Sequence, residues 1–139
     1  MDGRAFLDIA KELSQGATEG HWRTAAGRAY YALFLEGRTA LARWGFQVPP
    51  PPGVHSWVRL RFVYAPDPDL KEFGNALERL GRLRNEADYA LSVPGPFASP
   101  ARVKRAVKDV EQNLNRLDQV EADRARLSAV IAGIRKAWP

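Results

Sequence analysis

Apolar residues recur at three- and four-residue intervals through most of the chain, and glycine and proline interrupt them at a few points. Positions three and four apart share one face of a helix, so the pattern predicts helices. Asp2 to Ser14 reads as a first helix, capped by Asp2, with Phe6, Leu7, Ile9, Ala10 and Leu13 on its apolar side and Gly16 just past its end. Thr18 caps a second helix that runs to Trp44 and is stopped by Gly45. Its broad stripe of Trp22, Ala26, Ala29, Tyr30, Leu33, Phe34, Ala40, Leu41 and Trp44 predicts core. Thr24, Arg28, Tyr31, Leu35 and Arg38 fall on its other side. They fit either an extension of that core or an RNA-contacting surface.

Pro49 to Pro52, followed by Gly53, form a stiff non-helical connection. Val54 to Tyr64 then reads as a short helix laid over the others, although the run also passes as a strand. His55 has no carboxylate or serine neighbour that would make a triad, so it reads as a helix-start or packing residue. The segment Ala65 to Asp69, APDPD, breaks the chain and caps the central helix.

Asp69 to Ser92 is the stretch around which the other helices are expected to assemble. Phe73, Ala76, Leu77, Leu80, Leu83, Ala87 and Leu91 gather on one face, and Arg84 falls inside that apolar stripe. A guanidinium there needs a partner or a wet pocket, and Asp88, one turn on, is the nearest acid. Gly74, Glu78, Gly81, Asn85 and Tyr89 line the opposite face, where two glycines allow a second backbone or a ligand to approach closely.

A second break, VPGPFASP, spans Val93 to Pro100, and Ser99–Pro100 starts a helix expected to continue almost to the end. Val120, Leu127, Ile131, Ile134 and Trp138 keep a near-heptad spacing there, so the tail packs either on its own bundle or on a second subunit. The expected architecture is all-α: a single domain over residues 1–139, an antiparallel up-and-down bundle of four to five helices with 121–139 as a helical extension.

Composition narrows the chemistry. The chain has no cysteine and only two histidines, His21 and His55, which excludes disulfides, zinc fingers and thiol catalysis and argues against a histidine-rich metal site. Lys and Arg number 21 against 16 Asp and Glu, and the net charge of +5 favours an anionic partner such as nucleic acid. No apolar run reaches the ~20 residues of a membrane span, and the N-terminus is charged and amphipathic, so a cytoplasmic location and no membrane partner are expected.

Two of these stretches also carry a family resemblance. Gly20 to Phe46, GHWRTAAGRAYYALFLEGRTALARWGF, together with Arg84 to Tyr89, RNEADY, resembles the HEPN family, and in particular its small stand-alone members with an RAYYAxF motif on the second helix and RxxADY on a later long one. His55 also sits where such proteins often carry a histidine after the loop. The resemblance implies an antiparallel helical bundle that forms a homodimer and needs no cofactor. It further implies a metal-independent endoribonuclease, acting as a toxin beside a small nucleotidyltransferase antitoxin or as a defence effector. The family's active site combines two subunits, each giving an arginine and, four to six residues later, a histidine. Carried over, the arginine is Arg84, the polar residue after it is Asn85, and the histidine falls at Tyr89. Arg28, Tyr31, Arg38 and Asp88 are then expected to hold RNA or a nucleotide.

Tyr89 is the departure from that pattern. A general base for the 2′-hydroxyl works best with a pKa near 7, whereas tyrosine ordinarily titrates near 10. Three readings stay open: an endoribonuclease built on Arg84, Asn85 and Tyr89; a non-cleaving module that binds RNA, nucleotide or a nucleotidyltransferase, with Tyr89 as a target of nucleotide transfer; and a purely structural dimer.

Overall fold

Side-chain caps set where the helices begin. In a computed structural model describing residues 2–92 and 95–138, the Asp2 carboxylate accepts from the Ala5 amide at 3.0 Å and starts α1, Gly3–Ser14. Thr18 Oγ1 accepts from the His21 amide at 3.3 Å and starts α2, Glu19–Arg43. After the proline-rich connection, α3 spans Val54–Val63, and its buried residues Val54, Val58 and Phe62 repeat every fourth position, the period of a helix and not of a strand. Asp67 accepts from the amides of Asp69 and Leu70 and opens α4, Pro68–Tyr89, with proline in the first turn. A short 3-10 turn, Gly95–Phe97, precedes α5, Ala101–Ala122, and α6 runs Arg124–Ala137. Of the expected break from Val93 to Pro100, Val93 and Pro94 lie outside the described residues.

Cross-helix ion pairs fix the directions. The start of α1 meets the far end of α5 through Arg4 and Asp118 (2.7 Å), and its end meets the middle of α5 through Lys11 and Glu111 (3.5 Å). Arg4 also reaches Glu36, late in α2. The first turns of α2 bond the last turn of α4, and Asp69 at the start of α4 meets Arg116 late in α5. Arg43 and Glu121 join the ends of α2 and α5 at 2.6 Å. Thus α1, α2, α4 and α5 alternate up and down, with α2 and α5 parallel on the diagonal.

The core runs along this bundle through Leu33, Leu41, Phe62, Phe73, Leu114 and Phe97, all at most 1 % exposed. Two expectations about α4 meet here. Gly74 does permit a close approach, because a Cβ on it would sit 2.5 Å from the Val63 amide nitrogen of α3. Gly81 lies against the Tyr30 ring, so the glycine face is covered as far as Gly81, while Asn85 and Tyr89 beyond it are exposed.

The structure departs from the sequence reading at three helix boundaries or faces. α4 ends at Tyr89 and not Ser92, and Leu91, expected on the apolar face, is 67 % exposed. The reason lies on α2: the Arg23 guanidinium donates to the carbonyls of Glu86, Ala87 and Ala90 and lies 4.6 Å from the Phe97 ring, which satisfies the last carbonyls of α4 where a further turn would have done so. The tail is two helices, not one, giving six α-helices among the described residues. Asp123 is extended and its carboxylate accepts from the Arg126 amide at 3.1 Å, so it ends α5 and caps α6. Ile9 is exposed, because α1 buries Gly3, Leu7, Ala10 and Ser14, and Gly3 sits against the α2 backbone.

α6 packs on its own bundle. Arg126 forms charge-assisted bonds to Asp67 (2.6 and 2.9 Å) and Asp69 (2.7 Å), and its bonds to Asp67 hold that carboxyl below its usual range. Gly133 meets Pro66, and Arg61 lies against the rings of both Trp57 and Trp138. Among the described residues no helix is long and apolar enough to cross a membrane.

Candidate functional site

The RAYY stretch of α2 faces the C-terminal half of α4. Consecutive residues on a helix point about 100° apart, so Tyr30 turns inward and is buried while Tyr31 stays at the rim. Arg84 stands over both. Its guanidinium lies 5.8 Å from the Tyr30 ring and 5.2 Å from the Tyr31 ring, Nη2 reaches the Tyr31 hydroxyl at 3.4 Å, and Nε is 3.3 Å from Asp88. The charge in the apolar stripe is thus met by two aromatic faces and one carboxylate, and the side chain keeps 26 % of its surface in water.

Beside Arg84, a groove of about 370 Å³ runs between α2 and α4, lined among others by Thr24, Gly27, Arg28, Tyr31, Arg84 and Asp88. Its floor is open at Gly27, where a Cβ would meet nothing within 4 Å. Arg28 lies 5.6 Å from the Phe6 ring of α1, and Phe6 in turn is 6.3 Å from Tyr31. Among the described residues three arginines line the groove, of which Arg23 donates to the carbonyls at the end of α4 while Arg28 and Arg84 stand against aromatic rings.

On the other side of the tyrosines lies His55, at the start of α3. Its ring stacks on Phe34 at 4.0 Å and 15°, and Tyr31 meets it edge-on at 6.1 Å. Nδ1 is 2.7 Å from the Tyr30 hydroxyl. Burial lowers the His55 pKa below its ordinary 6.5, and Arg84 and Arg38 lower it further. Burial also pushes Tyr30 up to about 12, against the opposing pull of Arg84 and Arg59. Near neutral pH the pair is a neutral imidazole bonded to a neutral phenol. A second hollow, about 190 Å³, opens beside this ring between Ser56, Arg59, Glu78, Gly81, Arg82 and Asn85.

Of the residues singled out in the sequence, Arg84, Asp88, Arg28 and Tyr31 share the α2–α4 groove. Asn85 belongs to the neighbouring hollow with His55. Arg38, one turn beyond Phe34 and 5.7 Å from its ring, borders a third depression with the proline connection. Tyr89 is 77 % exposed and lines none of these hollows within one chain. Arg4, Arg43, Arg79 and Arg126 are tied to carboxylates, whereas among the described residues no carboxylate lies within 4.0 Å of Arg28, Arg38 or Arg59. Arg59 and the Tyr30–His55 pair were not singled out as site residues by sequence reasoning. Two signals pointed toward the pair: His55 sits where the resembled family often carries a histidine after the loop, and Tyr30 and Phe34 share an apolar stripe of α2 that the aromatic-rich short helix could cover.

Fold and site together define an all-α bundle with an arginine- and aromatic-lined face along α2 and α4. The chain matches no family model, no curated protein and no solved structure.

Proposed function

We propose that this chain is a HEPN-like protein that engages RNA on the α2–α4 face and cleaves it without a metal ion, in a toxin-like or defence role. The observation that carries the reading is a set of guanidinium groups: Arg84, held by two tyrosine rings and Asp88, shares the groove with Arg28, while Arg59 lines the neighbouring hollow and Arg38 the depression by the proline connection, these last three clear of the described carboxylates. Unstacked bases pack on aromatic and guanidinium planes, and phosphates seek unpaired arginines, so a single-stranded RNA finds both kinds of contact here. Arg84 is assigned to the negative charge that builds on the phosphate oxygens, and Asn85 to a further hydrogen bond there. A homodimer through this face brings a second Arg84 to the same phosphate, as the resemblance implies.

The test is cleavage of labelled tRNA and mRNA in EDTA by the wild-type protein and by Arg84→Ala. The expected result is cutting by the wild type and a loss of roughly 10²–10³-fold in the variant, the scale of one removed transition-state donor. Undiminished cutting by a folded Arg84→Ala would remove Arg84 from the site.

The exposure of Tyr89 favours a second reading, in which its hydroxyl accepts a nucleotide from a small nucleotidyltransferase partner. Mass spectrometry after incubation with that partner and ATP would then find an adduct on the wild type and none on Tyr89→Phe.

A further inference from the structure

Of the two histidines, His21 is exposed and its Nδ1 is 2.6 Å from Thr18, the residue that caps its own helix. His55 is held quite differently. The Phe34 face fixes its ring plane at 4.0 Å, Tyr31 closes on one edge, and the Tyr30 hydroxyl takes Nδ1 at 2.7 Å. These contacts use one ring nitrogen and leave Nε2 without a hydrogen bond among the described residues. A ring held only for packing does not require an adjoining hollow, yet one opens beside it, bordered by Arg59 and Asn85. Arg59 from α3 and the Glu78–Arg82 ion pair from α4 line that hollow with Tyr30 from α2, and the charges of Arg38 on α2 and Arg84 on α4 act on the ring from beyond it. Their balance is cationic, which attracts a phosphate and disfavours an imidazolium.

We infer that His55 is the proton acceptor of the RNA cleavage proposed above, taking a ribose 2′-hydroxyl proton on Nε2, and that Tyr30 is a positioning residue holding the Nδ1–H. The inference rests on that reading of the face and replaces Tyr89 as the group that performs the proton transfer. As the proton passes to Nε2, the 2′-oxygen forms a bond to the adjacent phosphorus and the bond from phosphorus to the 5′-oxygen breaks. The products are a 2′,3′-cyclic phosphate and a 5′-hydroxyl, and the imidazolium returns its proton through solvent to the departing oxygen. The lowered pKa of His55 keeps the ring neutral at pH 7, and in the tautomer that donates Nδ1–H to the neutral Tyr30 hydroxyl the free lone pair falls on Nε2.

The experiment is the pH profile of RNA cleavage in EDTA for the wild type, His55→Gln and Tyr30→Phe, beside RNA binding by each at pH 7. The wild-type rate is expected to fall about tenfold per pH unit below the His55 pKa. His55→Gln should lose that acid limb and roughly 10²-fold or more in rate, while its RNA affinity changes by less than about threefold. Tyr30→Phe should keep the limb but move it, because the group that titrates is still present. An acid limb and rate unchanged in His55→Gln would overturn the inference and leave the proposed function standing; a wild type that binds RNA but never cuts would overturn both. Imidazole 15N shifts of the wild-type protein give an answer independent of activity and of whether the variant folds. The Nδ1–H tautomer with a bare Nε2 is expected, and an Nε2–H tautomer at pH 7 would overturn the assignment.

Discussion

The His55 imidazole gives up water for the Phe34 face and the Tyr30 hydroxyl, and the charges of Arg84 and Arg38 oppose its protonation. Its folded pKa therefore lies below the 6.5 of an unfolded histidine. The unfolded chain binds the extra proton first, so this contribution to stability is complete above about pH 6.5 and is lost as pH falls through the folded value. Thermal midpoints measured from pH 7.5 to pH 5 should decline for the wild type, and His55→Gln should flatten that part of the decline. An identical decline in both would show that His55 is not depressed. Arg84 was legible in the sequence because a permanent cation inside a seven-residue apolar stripe contradicts its surroundings. His55 was not, since the groups that hold it, Tyr30 and Phe34, lie on α2, before the proline connection.

At the level of elements, α4 depends on α2 at its end and on α3 along its middle. Arg23→Ala removes the donors to three terminal carbonyls together with the stacking on Phe97, and should cost about 2 kcal/mol, a midpoint drop of roughly 6 °C. Two glycines give opposite outcomes. Gly74→Ala forces α3 away, because the added Cβ meets the Val63 backbone, and should cost about 2 kcal/mol. Gly27→Ala meets nothing and should gain up to about 1 kcal/mol from helix propensity alone. Differential scanning calorimetry of the three variants checks the order. The starts of α1, α2 and α4 were readable because Asp2, Thr18 and Asp67 cap them from within the local sequence. The end of α4 was not, because Arg23 caps it from another helix. The break at Asp123 was hidden because one extended residue leaves the apolar spacing from Val120 to Leu127 intact.

Over the whole molecule, ion pairs knit α1, α5 and α6 to their neighbours, and the face along α2 and α4 carries guanidinium groups that no carboxylate among the described residues neutralises. Arg102, Lys104, Arg105 and Lys108 on α5 are exposed and also lack a carboxylate partner among the described residues, so what sets the α2–α4 face apart is the aromatic rings beside its guanidinium groups, and a single-stranded polyanion is expected to bind there. Which face it would be was only half legible: Thr24, Arg28, Tyr31 and Arg38 marked one side of α2, but the approach of α4 and α3 that turns it into a lined groove depends on tertiary packing. The measurement that tests this most directly is fluorescence anisotropy of a short unstructured labelled RNA at about 50 mM salt and above, where phosphate contacts reveal themselves by their salt dependence. It compares two charge-matched triple variants, Arg28→Gln/Arg84→Gln in the groove with Arg38→Gln farther along α2, and Lys104→Gln/Arg105→Gln/Lys108→Gln on α5. The account predicts tight, salt-sensitive binding by the wild type, a loss of at least roughly tenfold with a shallower salt slope in the first variant, and a change of less than about twofold in the second. Equal losses in the two variants, or no binding by the wild type at low salt, would contradict it.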